Sequence, residues 1–233
     1  MKHKELADIL KKNIDNGKYH EYGKLPTEDM IMSEYRVTRY CVRNSIDILV
    51  NRGCVYPVQG SGMFVRESKR DGCLSVNDTR GLQAEFKKEN IETKLISMEI
   101  VLADNKLSKI LKCNIGIPIY YIVRLRIVKK KLFAVEYTYY NKDIVHYLDK
   151  KIVEDSIYSY IKNDLGLNVG FADKIISCEK LQKEASELLH LKIGDPALIV
   201  EDEAYLSNGQ IFNVSKVIYN YKYVKLFNLA SMK

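Results

Sequence analysis

Tryptophan is absent and histidine is scarce, with 4 in 233 residues. His3, His20, His146 and His190 share no metal-ligand spacing, so no imidazole-based metal site is expected. The 5 cysteines (Cys41, Cys54, Cys73, Cys113 and Cys178) are odd in number and form no C-x-x-C pair. That excludes a disulfide framework or a zinc-ribbon pattern and points to reduced thiols. No apolar run approaches the roughly 18 residues of a membrane span, and the opening MKHKELADILKK has no apolar signal core. A soluble, cytoplasmic protein without a membrane partner is expected. Also missing are a nucleophile motif, a glycine-rich nucleotide loop, an internal repeat and a low-complexity tract. Neither a catalytic residue nor a cofactor is therefore expected.

Hydrophobic residues make up 46% of the chain and charged residues 29%, which is ordinary for a globular protein, and 17 tyrosines supply rings with one polar end. The net charge is +7. It favours anionic partners but is not concentrated at the N-terminus, where residues 1–68 hold 11 Lys and Arg against 9 Asp and Glu. Any nucleic-acid claim must rest on the placement of particular side chains.

Leu6, Ile9, Leu10 and Ile14 recur at helical spacing, and Gly17 follows, predicting a helix over 3–16. Leu25-Pro26 breaks the chain. Thr27 then caps a second helix, with Glu28 and Asp29 in its first turn, running to about Tyr35. Arg36-Val37 forms a tight connection, and Thr38 caps a third helix that ends near Asn51 before Gly53. Two strand-like runs, at 55–58 and 63–66, flank Gly60-Ser61-Gly62 as a hairpin. Three helices and a hairpin give a winged helix-turn-helix over 1–68.

Residues 69–80 are polar and weakly patterned, and read as a linker. From 81 to 233 the pattern changes. Strand-like runs at 95–103, 119–128, 132–140, 169–178, 197–206 and 211–221 alternate with helical segments near 82–89, 105–112, 154–164 and 181–190. Lys129-Lys130-Lys131 and Ser207-Asn208-Gly209-Gln210 are turns between strands. The fold class is α+β: a winged helix-turn-helix domain followed by a domain with a largely antiparallel sheet.

On the third helix, Val42, Ser45, Ile46 and Leu49 share an inward arc. Arg39, Tyr40, Arg43 and Asn44 share an outward one, and no acid occurs from Arg36 through Ser45. Arginine can bond guanine bidentately, asparagine can do so to adenine, and either can meet phosphate. A solvated helix face would look the same. The hairpin tip, where backbone N–H groups can approach phosphates at glycines, favours the DNA reading. In the second domain, alternation sends Arg124 and Arg126 to one face, with Glu136 on the neighbouring strand. Ser156 and Tyr158 open a helix soon after. This set suits a phosphate or carboxylate, but Arg124 and Glu136 could equally form a cross-strand pair and nothing more.

Leu25-Pro26-Thr27-Glu28, Val37-Thr38-Arg39-x-x-Val42-Arg43 and Gly60-Ser61-Gly62-Met63-Phe64-Val65, in that order across residues 3–66, resemble the GntR family of bacterial transcription regulators. The resemblance implies operator contacts from Thr38, Arg39 and Arg43, with Thr27, Tyr40 and Asn44 nearby and a wing of Gly60, Ser61 and Gly62 in the adjoining minor groove. The family's usual arginine after Glu28 is replaced by Asp29, so a DNA contact common in the family is lost. Residues 81–224 are similar to the UTRA domain of the HutC-type branch, on Arg124-Leu-Arg126, Glu136-Tyr-x-Tyr, Ser156-Ile-Tyr158, Glu184-Ala185-x-x-Leu188, Ile193-Gly194-Asp195-Pro196 and Tyr219. That resemblance implies a fold similar to chorismate lyase and a small effector, often a sugar phosphate. Arg124, Arg126, Ser156 and Tyr158 would hold the anionic group, helped by the backbone at Gly81 and Leu82. Glu136, Asn213 and Tyr219 would line the rest. Asn213 stands where amino-sugar-phosphate binders often carry glutamate, which argues against an amine on the ligand. The familiar Arg-Gly-Asp after Tyr219 is replaced by Asn220-Tyr221-Lys222. A homodimeric repressor on double-stranded operator DNA is expected. The alternative is an enzyme of the chorismate-lyase-like fold acting on a small anionic metabolite.

Overall fold

The computed structural model describes residues 2–19, 21–66, 73–76 and 91–228. The chain divides into two compact units, one containing the residues up to Cys73 and the other spanning Leu74–Leu226.

In the first unit, helix α1 (His3–Asp15) buries Leu6, Ala7, Leu10 and Ile14 on one stripe. Helix α2 (Glu28–Tyr35) starts at Thr27, whose hydroxyl accepts from the Met30 N–H at 3.3 Å. It ends at Arg36, in the left-handed conformation with φ 51°. Helix α3 (Arg39–Asn51) is capped by Thr38, which accepts from the Cys41 N–H at 3.3 Å, and buries Cys41, Val42, Ser45, Ile46 and Leu49. The inward arc expected for this helix is the packed one, and with Leu6, Leu10 and Ile31 it forms the core of the unit. Ser45 is polar yet fully buried, and its hydroxyl lies 2.8 Å from the His3 carbonyl and 2.7 Å from that of Cys41. Strands β1 (Val55–Val58) and β2 (Gly62–Val65) pair antiparallel as the wing. The 23–25 segment lies along β2: the Leu25 N–H donates to Met63, and the Val65 N–H to Gly23.

In the second unit, β3 (Leu74–Ser75) pairs with β10 (Leu226–Phe227) in a small two-stranded sheet, with the Leu74 N–H donating to the Lys225 carbonyl at 2.8 Å. The stretch expected as pure linker therefore contains a strand. Its signal is only two residues long, and its partner is far along the chain. The main sheet has six strands: β4 (Ile91–Leu102), β5 (Pro118–Val128), β6 (Lys131–Asn141), β7 (Val169–Lys180), β8 (Pro196–Leu206) and β9 (Ile211–Asn220). Their order is β4-β5-β6-β9-β8-β7, and every neighbouring pair is antiparallel. The β5–β6 turn places Lys129 and Lys130 at φ 50° and 63°.

Helices α4 (Asn105–Leu111) and α7 (Lys183–Leu189) pack on one face, against Ile119 and Val214 and against Val123, Leu125 and Val135 respectively. The opposite face meets α5 (Lys150–Glu154) and α6 (Ile157–Asn163), whose Val153, Ile157 and Ile161 pack on Tyr120, Ile122 and Tyr140. The helix expected near 154–164 is α6, and the short α5 before it is a helix that the sequence pattern did not announce. Asp155 (φ −92°, ψ −114°) leaves the helical conformation and Ser156 caps a new start, accepting from the Ser159 N–H at 3.2 Å. The helix expected near 82–89, and with it Gly81 and Leu82, lies outside the described residues.

Candidate DNA-reading surface and effector site

The outward arc of α3 carries Arg39, Tyr40, Arg43 and Asn44, and Tyr40 is 75% exposed. The two guanidiniums are held by the start of α2. Arg43 Nε lies 3.1 Å from both carboxylate oxygens of Glu28. Arg39 Nη2 lies 2.5 Å from Asp29 Oδ1, and Arg39 Nη1 lies 3.4 Å from Glu28. The Asn44 amide donates to the Tyr40 carbonyl at 2.9 Å. The Thr27 and Thr38 hydroxyls are both engaged as helix caps. At the wing, Gly60 and Gly62 have φ of 72° and 103°, conformations that side chains strongly disfavour. A Cβ on Gly62 would come within 2.9 Å of the Lys24 side chain. Tyr56 and Phe64 stack at 5.9 Å on the hairpin, with the Lys24 ammonium 5.6 Å from the Phe64 ring.

In the second unit, strand register brings the predicted arginines together with their acid. Arg124 stands opposite Glu136, and Arg126 opposite Thr93. Arg124 Nη2 lies 2.8 Å from Glu136 Oε2, and Arg124 Nη1 donates to the Val153 carbonyl of α5 at 3.0 Å. Arg126 reaches the same carboxylate oxygen only at 3.9 Å. Both arginine side chains are 5% exposed. Two buried cations thus share one carboxylate. Burial and the neighbouring Arg124 charge push Arg126 down to about 10. Burial alone would raise Glu136, but the charges of Arg124 and Arg126, with the Arg124 hydrogen bond, hold it below the usual carboxylate value.

The remaining predicted residues are placed as follows. Tyr158 stands edge-on to Phe212 at 5.9 Å, and burial raises its phenol well above the ordinary value. Ser156 spends its hydroxyl oxygen on the α6 cap. Asn213 is buried, and its amide nitrogen donates to the Tyr139 and Val214 carbonyls at 3.1 and 3.3 Å. Tyr219 packs edge-on against Phe133 at 5.7 Å. Asn220, in the replaced tripeptide, donates to the Leu132 carbonyl at 3.0 Å and accepts from the Lys222 N–H at 3.1 Å, bracing the turn after β9.

Sequence reasoning missed other residues on this face. Among the described residues, six buried side-chain polar atoms lack a hydrogen-bond partner: Tyr19 Oη in the first unit, and Thr93 Oγ1, Arg124 Nε, Arg126 Nε, Tyr140 Oη and Asp202 Oδ1 in the second. The register puts all five of the second unit's residues on the sheet face that carries Glu136, since Asp202 stands opposite Ser215, and Ser215 opposite Thr138. Asp202 is raised by burial, and Lys174 Nζ stands 3.9 Å from its Oδ1. Alternation along β8 could have assigned Asp202 to this face, but only with the β8–β9 pairing in hand.

The profile of bacterial regulatory proteins of the gntR family matches residues 2–65, and that of the UTRA domain matches residues 87–225. The chain is 32% identical over 222 residues to the uncharacterized HTH-type transcriptional regulator YydK of Bacillus subtilis, covering 95% of this chain and 94% of that one. This protein belongs to the GntR family of transcription regulators, with a UTRA domain. The crystal structure of YydK superimposes on this GntR regulator with a TM-score of 0.87 at 31% identity, covering 98% and 100% of the two chains. The HTH-type transcriptional repressor NagR of B. subtilis is 24% identical, with 92% and 88% covered. The mannosyl-D-glycerate transport/metabolism system repressor MngR of Escherichia coli is 24% identical, with 99% and 96% covered. Regulators of this family join a DNA-binding winged helix-turn-helix to an effector-binding UTRA domain, and both are present here. Among the described residues no helix is long and apolar enough to cross a membrane.

Proposed function

We propose that this regulator is a repressor whose grip on its operator is released by a small anionic effector, a sugar phosphate, bound on the Arg124–Arg126 face of the sheet. The observation that carries the reading is the ion pairing there: two guanidiniums, each 5% exposed, both pair with the one carboxylate of Glu136, while Asp202 on the same face pairs with Lys174. An uncompensated buried charge is costly, and a bound anion would offset it. The unpartnered Arg124 Nε, Arg126 Nε, Thr93 and Tyr140 groups supply donors for it. Arg126 takes the anion, because its contact with Glu136 is the looser of the two. Tyr158 and Tyr219 flank the sugar. Ser156 adds its hydroxyl proton. With Asn213 in place of a carboxylate, a phosphate on a neutral rather than an amino sugar fits better. NagR and MngR, both named as repressors, support the sign of control.

On DNA, a homodimer would set two α3 helices in successive major grooves about 34 Å apart. Arg39, Arg43 and Asn44 would meet bases, Thr27, Thr38 and Tyr40 the backbone, and Gly60, Ser61 and Gly62 the minor groove. The test is thermal unfolding against a panel of sugar phosphates, free sugars and carboxylates. A ligand at 100 times its Kd stabilises by about 2.7 kcal/mol. One phosphorylated sugar should raise Tm by several degrees, lower operator affinity, and lose both effects in Arg126→Ala. A Tm shift that persists in Arg126→Ala, or no shift from any phosphorylated compound, sinks the assignment of the anion site.

A further inference from the structure

The acid that replaces the family's usual arginine after Glu28 is joined to the recognition helix. Asp29 Oδ1 is 2.5 Å from Arg39 Nη2, and neighbouring Glu28 takes Arg43 at 3.1 Å and Arg39 at 3.4 Å. The two acids differ in setting. The Glu28 side chain is 32% exposed and bonds both arginines, whereas that of Asp29 is 74% exposed and bonds Arg39 alone. Two cations expected to face DNA are therefore matched, one for one, by two carboxylates of the same unit.

An arginine fork bonded to a carboxylate is bonded as it would be to a phosphate. A duplex phosphate or base that takes Arg39 must displace Asp29. In a docked helix-turn-helix the helix before the recognition helix crosses the DNA backbone, so the displaced Asp29, at the start of α2, would stand among phosphates of like charge. We propose that Asp29 is a negative determinant of operator affinity: it acts as an internal phosphate mimic that holds Arg39 until DNA displaces it. The inference rests on the reading that Arg39 contacts the operator. It adds that the acid beside Arg39 sets how tightly, and with what salt dependence, that contact forms. An exposed pair of this kind is weak in itself, so its effect on binding is graded: about two- to fivefold in Kd.

The test uses the full-length chain and two fluorescent duplexes: one enriched by the wild-type protein from a random-sequence pool, and a shuffled control. Binding is followed by anisotropy across a series of salt concentrations. Asp29→Asn, an exposed change that leaves the α2 cap in place, should tighten operator binding about two- to fivefold. It should also steepen the slope of log K against log salt by about one. Arg39→Ala should cost more in the Asp29→Asn background than in the wild type, because only there is the arginine unencumbered. Unchanged or weaker binding by Asp29→Asn overturns the proposal. So does an additive cycle in which Arg39→Ala costs the same in both backgrounds, although Arg39 would then remain an operator contact. If Arg39→Ala is harmless in both backgrounds, the operator role of Arg39 itself fails, and the mimic with it.

Discussion

At the scale of single residues, Glu136 has the most consequential setting in the second unit, because it is the shared counter-charge for Arg124 and Arg126. Glu136→Gln keeps the shape and removes the charge. Breaking a buried pair in this way should cost about 3 kcal/mol, read as a lower urea midpoint of the full-length chain at pH 7. The pH dependence has a definite sign. The folded pKa of Glu136 lies below its ordinary value. Its stabilisation is therefore complete above the ordinary carboxylate range of about 4.3 and is lost as pH falls through the lower folded value. The gap between wild type and Glu136→Gln should be full at pH 7 and close only in acid below about pH 4. A gap that closed near neutrality would mean that Glu136 is not held by the two arginines.

At the scale of elements, the caps and turns carry the DNA-reading architecture. Thr38 starts α3 by accepting the Cys41 N–H. Thr38→Ala should destabilise the first unit by about 1 kcal/mol, whereas Thr38→Asp keeps a capping oxygen and most of that stability. Urea unfolding followed by far-UV circular dichroism separates the two. If the hydroxyl also meets a phosphate, Thr38→Asp should keep the fold and lose operator affinity. At the wing, Gly62 combines a φ of 103° with Lys24 standing where a Cβ would go. Gly62→Ala should distort the hairpin and weaken operator binding about tenfold, with helical content unchanged. Equal operator affinity in that variant would remove the wing from the contact surface. In the second unit, the break at Asp155 separates α5 from α6. It leaves the Val153 carbonyl, near the end of α5, to accept from Arg124. A continuous helix would spend that carbonyl internally.

At the scale of the whole molecule, the proposed repressor must place two reading heads on one duplex. Light scattering of the purified chain should give a mass twice 27.0 kDa. Footprinting should show two protected half-sites one helical turn apart, or a multiple of it. A monomeric mass at the concentration where the operator is protected would refute the two-fold arrangement. An effector can shift operator affinity only by its differential affinity for the two states. The effector that raises Tm should therefore weaken operator binding, and operator DNA should weaken effector binding by the same factor. Calorimetric titration with and without the duplex measures both sides of that equality.

Much of this was legible in the sequence because it depends on neighbours a few residues away. Thr27 and Thr38 cap helices by bonding an N–H three residues on, and Val42, Ser45, Ile46 and Leu49 face inward because a helix returns every 3.6 residues. Lys129 and Lys130 turn the chain between two strands marked by their β-branched and aromatic runs, and alternation along β5 puts Arg124 and Arg126 on one face. Tertiary structure alone decided the rest, because it depends on pairings between distant segments. Leu74 becomes a strand only beside Lys225 and Leu226, and two residues carry too little pattern to announce it. Asp202 joins the arginines' face only through β9, which sets it across from Ser215 and so in line with Thr138. No acid occurs from Arg36 through Ser45, yet Glu28 and Asp29 lie against the arginines of α3 because the turn at Arg36 folds the start of α2 back onto the start of α3. Periodicity reports which way a side chain faces; only the packed chain reports which charge it faces.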